Sequence, residues 1–328
     1  MRALVTGGAG FIGSHLVDRL LAGGHQATVY DNLSTGRRRF LEGAAAQAGF
    51  RLVEGDLLDE AALAAAVAGH DQVFHLAANA DVRFGTEHPR RDLEQNTIGT
   101  WNVLEAMRAN GVRRIAFTST GSAYGEPTVF PTPETCPFPE QTSLYGASKA
   151  AAEGLLSAYC HGFGFEARVF RLVSALGERY QHGHVLDFMR KLRQDPSEIE
   201  VLGDGKQRKS YLYVKDVVEA MLTGVERAEG AFVALNIGHE QHCMVDDSLG
   251  WITERLGLSP RRRYTGGTRG WIGDSPFIHL DASRMRALGW RPTLTIREAV
   301  LRTVDDIQAN PWLMTATATA TATTDAAG

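Results

Sequence analysis

Residues 2–13 read Arg2-Ala3-Leu4-Val5-Thr6-Gly7-Gly8-Ala9-Gly10-Phe11-Ile12-Gly13. A short apolar run, Ala3-Leu4-Val5, passes directly into glycines spaced G-x-x-G-x-x-G. A helical pattern then follows, with Ile12, Leu16, Leu20 and Leu21 on one face. Glycines at that spacing let the backbone turn tightly and come close to a pyrophosphate. A helix that starts there aims its first N–H groups at the phosphates. A glycine turn alone is a weak signal, and its place between a strand and a helix strengthens it.

The same alternation continues outward. Further apolar runs are Ala27-Thr28-Val29-Tyr30, Phe50-Arg51-Leu52-Val53, Val73-Phe74-His75-Leu76, Ile115-Ala116-Phe117 and Ala167-Arg168-Val169-Phe170. Stretches of helical spacing, such as Val103, Leu104 and Met107, lie between them. Short runs apolar on both sides suit a parallel sheet covered on two faces, so the expected class is a doubly wound α/β fold. After Arg171 the rhythm changes to loops rich in Gly, Arg and Tyr: GERYQHGH, LGDGKQRKSY and RYTGGTRGWIGDSP. These predict a smaller C-terminal lobe interwoven with the sheet, the chain returning to the sheet near Tyr213–Val225. The expected division is 1–172 plus about 210–237 for the sheet domain, and about 173–209 and 238–312 for the lobe. Residues 313–328, ending in TATATATATTDAAG, are expected to form a flexible low-complexity tail.

Composition narrows the function. With 328 residues, 44% hydrophobic content and a net charge of −4, the chain is neither disordered nor suited to the nucleic-acid backbone. No apolar run approaches the ~20 residues of a membrane span, and the opening residues read as a strand rather than a leader. Cys136, Cys160 and Cys243 form no C-x-x-C or metal spacing, which points to reduced thiols and a cytoplasmic setting. His182 and His184 lack partners at metal spacing, so a surface role is expected and no metal site.

The second strand ends at Asp31. A carboxylate there accepts hydrogen bonds from an adenosine ribose and repels a 2′-phosphate, which favours NAD over NADP. Arg37-Arg38-Arg39 in the next loop leave two readings, a solvated basic loop or a phosphate contact. Asp56-Leu57 follows the third strand as either a helix cap or an adenine contact. Small residues after His75, namely Ala77 and Ala78, let a dinucleotide lie close to the sheet. Tyr145 and Lys149 stand at i, i+4 near the start of a helix, so the ammonium can stabilise a phenolate. Without that help a phenol of pKa about 10 is a poor base at neutral pH. Thr120, at the end of the fifth strand, is placed to hydrogen-bond a substrate alcohol.

Jointly, TGGAGFIG, Asp31 with DNLSTG, Asp56-Leu57, HLAA, Asn96-Thr97-Ile98-Gly99-Thr100 before NVLEA, TSTGSAYG, YGASK and Leu288-Gly289-Trp290 carry a family resemblance. From residue 1 to about 312 the chain resembles the extended short-chain dehydrogenase/reductases, in particular the nucleotide-sugar epimerases and dehydratases. The resemblance implies a Rossmann sheet with a substrate-binding lobe, bound NAD and a nucleotide-diphosphate sugar substrate. It makes Thr120, Tyr145 and Lys149 the catalytic trio. It places Gly7, Gly10, Phe11, Ile12, Gly13, Asp31, Asn32, Ser34, Thr35, Gly36, Asp56, Leu57, Leu76, Ala77 and Ala78 around the cofactor, together with Tyr145 and Lys149. On the substrate side it points to Ser122, Ser174, Arg179, Arg208, Lys209 and Arg269, and it makes Asn96 a buried residue shaping the sheet end.

The departures are informative. Dehydratases of the family carry an Asp-Glu pair after the strand-end Thr, where this chain has Gly121-Ser122. Neither residue can transfer the protons that water loss requires. That favours an epimerase, acting at C4 through a transient 4-keto sugar, over a dehydratase or ketoreductase. A non-catalytic dinucleotide sensor is the distant alternative. Ser174 replaces the usual Asn, Lys209 the usual diphosphate-binding Arg, and Trp271 a second Arg. A lysine lacks the bidentate fork, so Arg179, Arg208 or Arg269 is expected to restore the charge. The nucleobase and sugar stay open. A homodimer is expected through the helix after Asn96 and the Tyr145 helix, burying Leu104, Met107, Leu155, Leu156 and Tyr159.

Overall fold

The computed structural model describes residues 1–315, apart from 81, 139, 272, 273 and 276. Seven parallel strands form the central sheet: β1 (Arg2–Thr6), β2 (Gln26–Asp31), β3 (Phe50–Glu54), β4 (Gln72–His75), β5 (Arg114–Thr120), β6 (Glu166–Leu172) and β7 (Phe232–Ile237). Their order is β7-β6-β5-β4-β1-β2-β3. Ala3, Leu4 and Val5 of β1 are wholly buried, as expected of a strand covered on both faces. β3 is the edge, and its residues are half-buried or exposed.

The winding sense reverses between β1 and β4, which pair with Ala3 opposite Gln72 and Thr6 opposite His75. In sheets of this kind a crevice opens at such a reversal, beyond the carboxyl ends of the strands. The glycine turn after β1 and the Leu76–Ala78 segment after β4 therefore face one crevice.

Helices cover both faces. The ones that matter for the site are α1 (Phe11–Ala22), α2 (Gly99–Ala109), α3 (Leu144–Phe163) and α4 (Val214–Arg227). The chain comes back to the sheet near Tyr213–Val225 as a helix laid on it, not as a strand. Val214, Val217, Val218 and Met221 recur at helical spacing and bury the face of α4 that packs on α1. The strand that rejoins the sheet is β7, lying parallel to β6 with Ala234 opposite Val169.

Between β6 and α4, and again after β7, the chain builds short sheets. Ser174–Leu176 pairs with Tyr211–Tyr213, and Arg208–Lys209 lies between Cys243–Met244 and Phe277–Ile278. Glu198–Val201 pairs with Arg261–Tyr264. A second core of Val185, Leu186, Leu249, Ile252, Val300 and Val304 joins three helices of this lobe. The start of the expected flexible tail is also corrected. Trp312–Thr315 is helical, Leu313 is buried, and Arg39 stacks on Trp312 at 4.6 Å. Residues 316–328, the Thr-Ala repeat, lie outside the described residues.

Candidate active site

Glycine sterics decide the cofactor end. Gly7 has φ +69°, and a Cβ on it would stand 2.6 Å from the Ala77 backbone nitrogen. A Cβ on Gly13 would stand 2.2 Å from the Gly7 carbonyl oxygen. The turn is thus pressed against the β4 end and closed on itself. Helix α1 begins at Gly10 with no side-chain cap and no acid in its first turn, so the N–H groups of Phe11, Ile12 and Gly13 are left for an anion. A side-chain-free cradle under an uncapped helix start fits the pyrophosphate of a dinucleotide.

The rim follows. Asp31 is buried at the end of β2, accepting from the amides of Ala9 (2.9 Å) and Leu33 (2.8 Å). Burial holds its carboxyl above the ordinary range. Gly36 is required beside it, since a Cβ there would stand 2.8 Å from Asp31 Oδ1. Asn32 donates to Asp56 at 2.8 Å and its Oδ1 accepts from the Ser34 amide and hydroxyl, which ties the loops after β2 and β3 together. Leu57 is buried against Gly99, and the Thr35 carbonyl accepts from Gln181. Leu76 and Ala78 are half-buried beside Ala77, whose amide meets Thr6 Oγ1 at 3.3 Å. Of the three loop arginines, Arg38 pairs with Glu54 and Arg39 lies on Trp312, while Arg37 is half-buried.

The chemical end is assembled by α3 against the end of β5. Ser143 caps α3 by accepting from the Gly146 amide, which starts the helix at Leu144. Tyr145 and Lys149 then lie one turn apart on the face toward β5. The Tyr145 hydroxyl hydrogen-bonds Thr120, and desolvation pushes it up to about 12 against that bond. Lys149 is buried, donates to the Thr118 carbonyl at 2.9 Å and lies 4.6 Å from the Phe117 ring. Burial brings its amine down to about 7, opposed by Glu153 and Asp92. The arrangement unites a hydroxyl holder, a phenol and an ammonium at one strand end, the requirements of proton abstraction from an alcohol.

Asn96 is buried as the sequence reading has it. Its Oδ1 accepts from the Asn79 amide and its Nδ2 donates to Ser148 Oγ at 2.9 Å, bracing the strand end against α3. The sequence reading passed over His75 as a polar residue. It is wholly buried between Thr6 Oγ1 (2.7 Å) and Thr100 Oγ1 (2.9 Å). It also passed over Glu153 and Arg171; the available signal was a further i+4 step from Lys149.

The substrate-side residues divide. Lys209 reaches Asp274 Oδ1 at 2.6 Å, and Arg269 donates to the Asp274 carbonyl at 2.9 Å and pairs with Glu126 at 2.5 Å. Arg208 instead stacks on Phe277 at 3.9 Å. Arg179 is not brought to this cluster. Its backbone is left-handed (φ 64°), its amide is held by Asp306, and its guanidinium pairs with Asp18 of α1 at 2.7 Å. Ser122 is half-buried with its amide on Thr120 Oγ1, and Ser174 is exposed at the start of its strand. The expected surface role of His184 is corrected. It is half-buried, bonded to Ser248 Oγ at 2.8 Å and stacked on Tyr211 at 4.5 Å. No His, Cys, Asp or Glu cluster fit for a metal is found among the described residues.

The model of the NAD dependent epimerase/dehydratase family matches residues 3–238. The UDP-glucose 4-epimerase of Mycolicibacterium smegmatis is 34% identical over 93% of this chain and 98% of its own. A crystal structure of a UDP-galactose 4-epimerase is 41% identical, with a TM-score of 0.85, over 95% of this chain and 100% of its own. The Thermus thermophilus UDP-glucose 4-epimerase in complex with NAD is 35% identical, with a TM-score of 0.82, over 94% and 99%. UDP-glucuronic acid decarboxylases and a dTDP-glucose 4,6-dehydratase are also among the relatives.

Proposed function

The chain belongs to the NAD dependent epimerase/dehydratase family, and on that premise we propose that it interconverts the C4 epimers of a uridine diphosphate hexose. It is an NAD-dependent enzyme, and the glycine cradle and Asp31 are the groups that would hold the pyrophosphate and the adenosine ribose. The observation that carries the reading is the meeting of Tyr145 with Thr120 at the strand end, above buried Lys149.

The residues divide the work. Thr120 holds the C4 hydroxyl, Tyr145 takes its proton, and the Lys149 ammonium, fixed by the Thr118 carbonyl, stabilises the phenolate. Bound NAD would supply reversible hydride transfer, accepting a hydride from C4 and giving it back to the other face of the 4-keto sugar. Tyr145 then returns the proton to the opposite alcohol. As the pair stands in the bare chain, burial favours the neutral phenol and the neutral amine.

Lys209 and Arg269, gathered at Asp274, are placed to hold the diphosphate, and the relatives support uridine as the base. Water loss is disfavoured at Gly121. It offers no acid, and a Cβ there would stand 3.1 Å from Ile278. A two-fold dimer through α2 and α3 fits the family, but the expected contact residues are corrected. Leu104, Met107, Leu156 and Tyr159 already lie in the core of this chain, and Leu155 packs against it. Trp101, Leu144 and Phe163 are the exposed apolar side chains on those helices, and light scattering at micromolar concentration decides the point. Unpaired Cys136, Cys160 and Cys243 fit a reducing cytoplasm, and no helix among the described residues is long and apolar enough to cross a membrane.

The test is proton NMR of the purified protein, with no cofactor added, against UDP-, GDP-, CDP- and ADP-sugars. Interconversion of UDP-glucose and UDP-galactose is expected. A new unsaturated or keto product, or turnover only with added NAD(P)H, sinks the reading.

A further inference from the structure

The stripe that carries Tyr145 and Lys149 runs one turn further along α3 to Glu153. This carboxylate is buried and fully engaged. Ser119 Oγ donates to its Oε1 at 2.5 Å, and Arg171 of β6 donates from Nη2 to Oε2 at 2.7 Å and from Nε to both oxygens at 3.1 and 3.2 Å. Arg171 continues to the Tyr124 hydroxyl at 2.7 Å, and that hydroxyl donates to Asn236 of β7 at 2.9 Å.

Three successive residues of β5 therefore meet three successive turns of α3. The Thr118 carbonyl takes Lys149, the Ser119 hydroxyl takes Glu153, and the Thr120 hydroxyl takes Tyr145. A buried ion pair is weak evidence for stability, because desolvation offsets its attraction. Its value here lies in register and charge. The charged and titratable groups that act on Lys149 are Glu153, one turn further along its own helix, Asp92 from the segment before α2, and His75 from β4, with Arg171 behind Glu153.

We propose that Glu153 is a positioning residue of this site: bonded to Ser119 and facing Lys149, it locks the catalytic helix onto the strand end and holds the charge on the lysine. The proposal rests on the reading of Tyr145 and Lys149 as the reacting pair. It goes beyond that reading by adding a residue that touches neither sugar nor cofactor.

The experiment compares the purified protein with Glu153→Gln, which keeps the shape and removes the charge. The rate at which bound NAD leaves is followed from pH 6 to 10, with the pH profile of kcat beside it. Release should quicken as Lys149 loses its proton. In Glu153→Gln the midpoint should fall by about one pH unit, with the alkaline limb of kcat following it. Ser119→Ala should leave the midpoint in place and lower kcat about tenfold at unchanged KM, as loss of geometry without loss of charge. Should unpaired Arg171 prevent folding, Glu153→Gln/Arg171→Met removes both charges and should move the midpoint in the same direction. A midpoint unmoved in a folded variant, or wild-type release independent of pH, overturns the proposal. Wild-type protein that turns over no sugar breaks the epimerase reading alone, since NAD release still decides this one.

Discussion

The two sides of the proposed site are built by different means. At the cofactor end the contacts are backbone: a glycine turn closed to 2.2 Å of any added Cβ, and an uncapped helix start. On the substrate side they are long side chains that already have partners, Lys209 on Asp274 and Arg269 on Asp274 and Glu126. On the proposed reading the first site is shaped in advance by backbone sterics and would lose little on binding. On the proposed reading the second would exchange ion pairs for phosphate, so its affinity would be a difference between two similar interactions.

Perturbing each side should separate these modes. Tyr145→Phe, which touches the shared chemical centre, should lower kcat by about a thousandfold, with NAD content unchanged by absorbance. If it keeps more than a tenth of wild-type turnover, the phenol is not the base. Gly13→Ala comes next. The added methyl has no room against Gly7, so the protein should purify with most of its NAD missing and melt earlier. Retention of a full complement would show that the cradle gives way, erasing the contrast with the substrate side.

Lys209→Met and Arg269→Met should each raise KM for the UDP-sugar about tenfold and leave NAD content alone. Arg179→Met is the counterpart. Its partly exposed pair with Asp18 is worth about 1 kcal/mol or less, so KM should stay and the melting temperature drop slightly. A KM effect at Arg179 would return it to the substrate side.

Each side also holds a histidine away from bulk water, His75 buried and His184 half-buried, and here they should behave alike. Burial pushes His75 and His184 down to about 3, with Lys149 and Lys209 adding to the fall. Both are neutral when folded and regain an ordinary pKa near 6.5 on unfolding. Between about pH 6.5 and 3 the unfolded chain binds more protons, so stability falls as the pH is lowered through that window and is indifferent to these groups above it. His75→Gln and His184→Gln should each flatten the acid side of a melting-temperature profile. An unchanged acid slope would mean that water reaches the rings.

The same division governs what the sequence made legible. Gly7 and Gly13 could be read because only their lack of a side chain permits the turn, and Tyr145 and Lys149 because helical geometry alone places them on one face. Arg179, Arg208, Lys209 and Arg269 were alike as sequence, four cations in loops. Only the fold divides them, sending Arg179 to Asp18 and Arg208 to Phe277. The dimer residues misled for a related reason. Helical spacing identifies an apolar stripe without saying whether the chain's own sheet covers it, and for Leu104, Met107 and Leu156 it does.

What the sequence determined by itself is whatever depends on neighbours along the chain: the strand and helix alternation, the glycine cradle, the i, i+4 pair and the absent acid at Gly121. Tertiary structure alone decided which strand closes the sheet at β7, which cations converge on Asp274, and how Glu153 and Arg171 lie behind Lys149. Those outcomes turn on pairing between residues far apart in sequence. The energy of a charge or a polar group depends on what burial brings beside it, and local spacing carries no record of that.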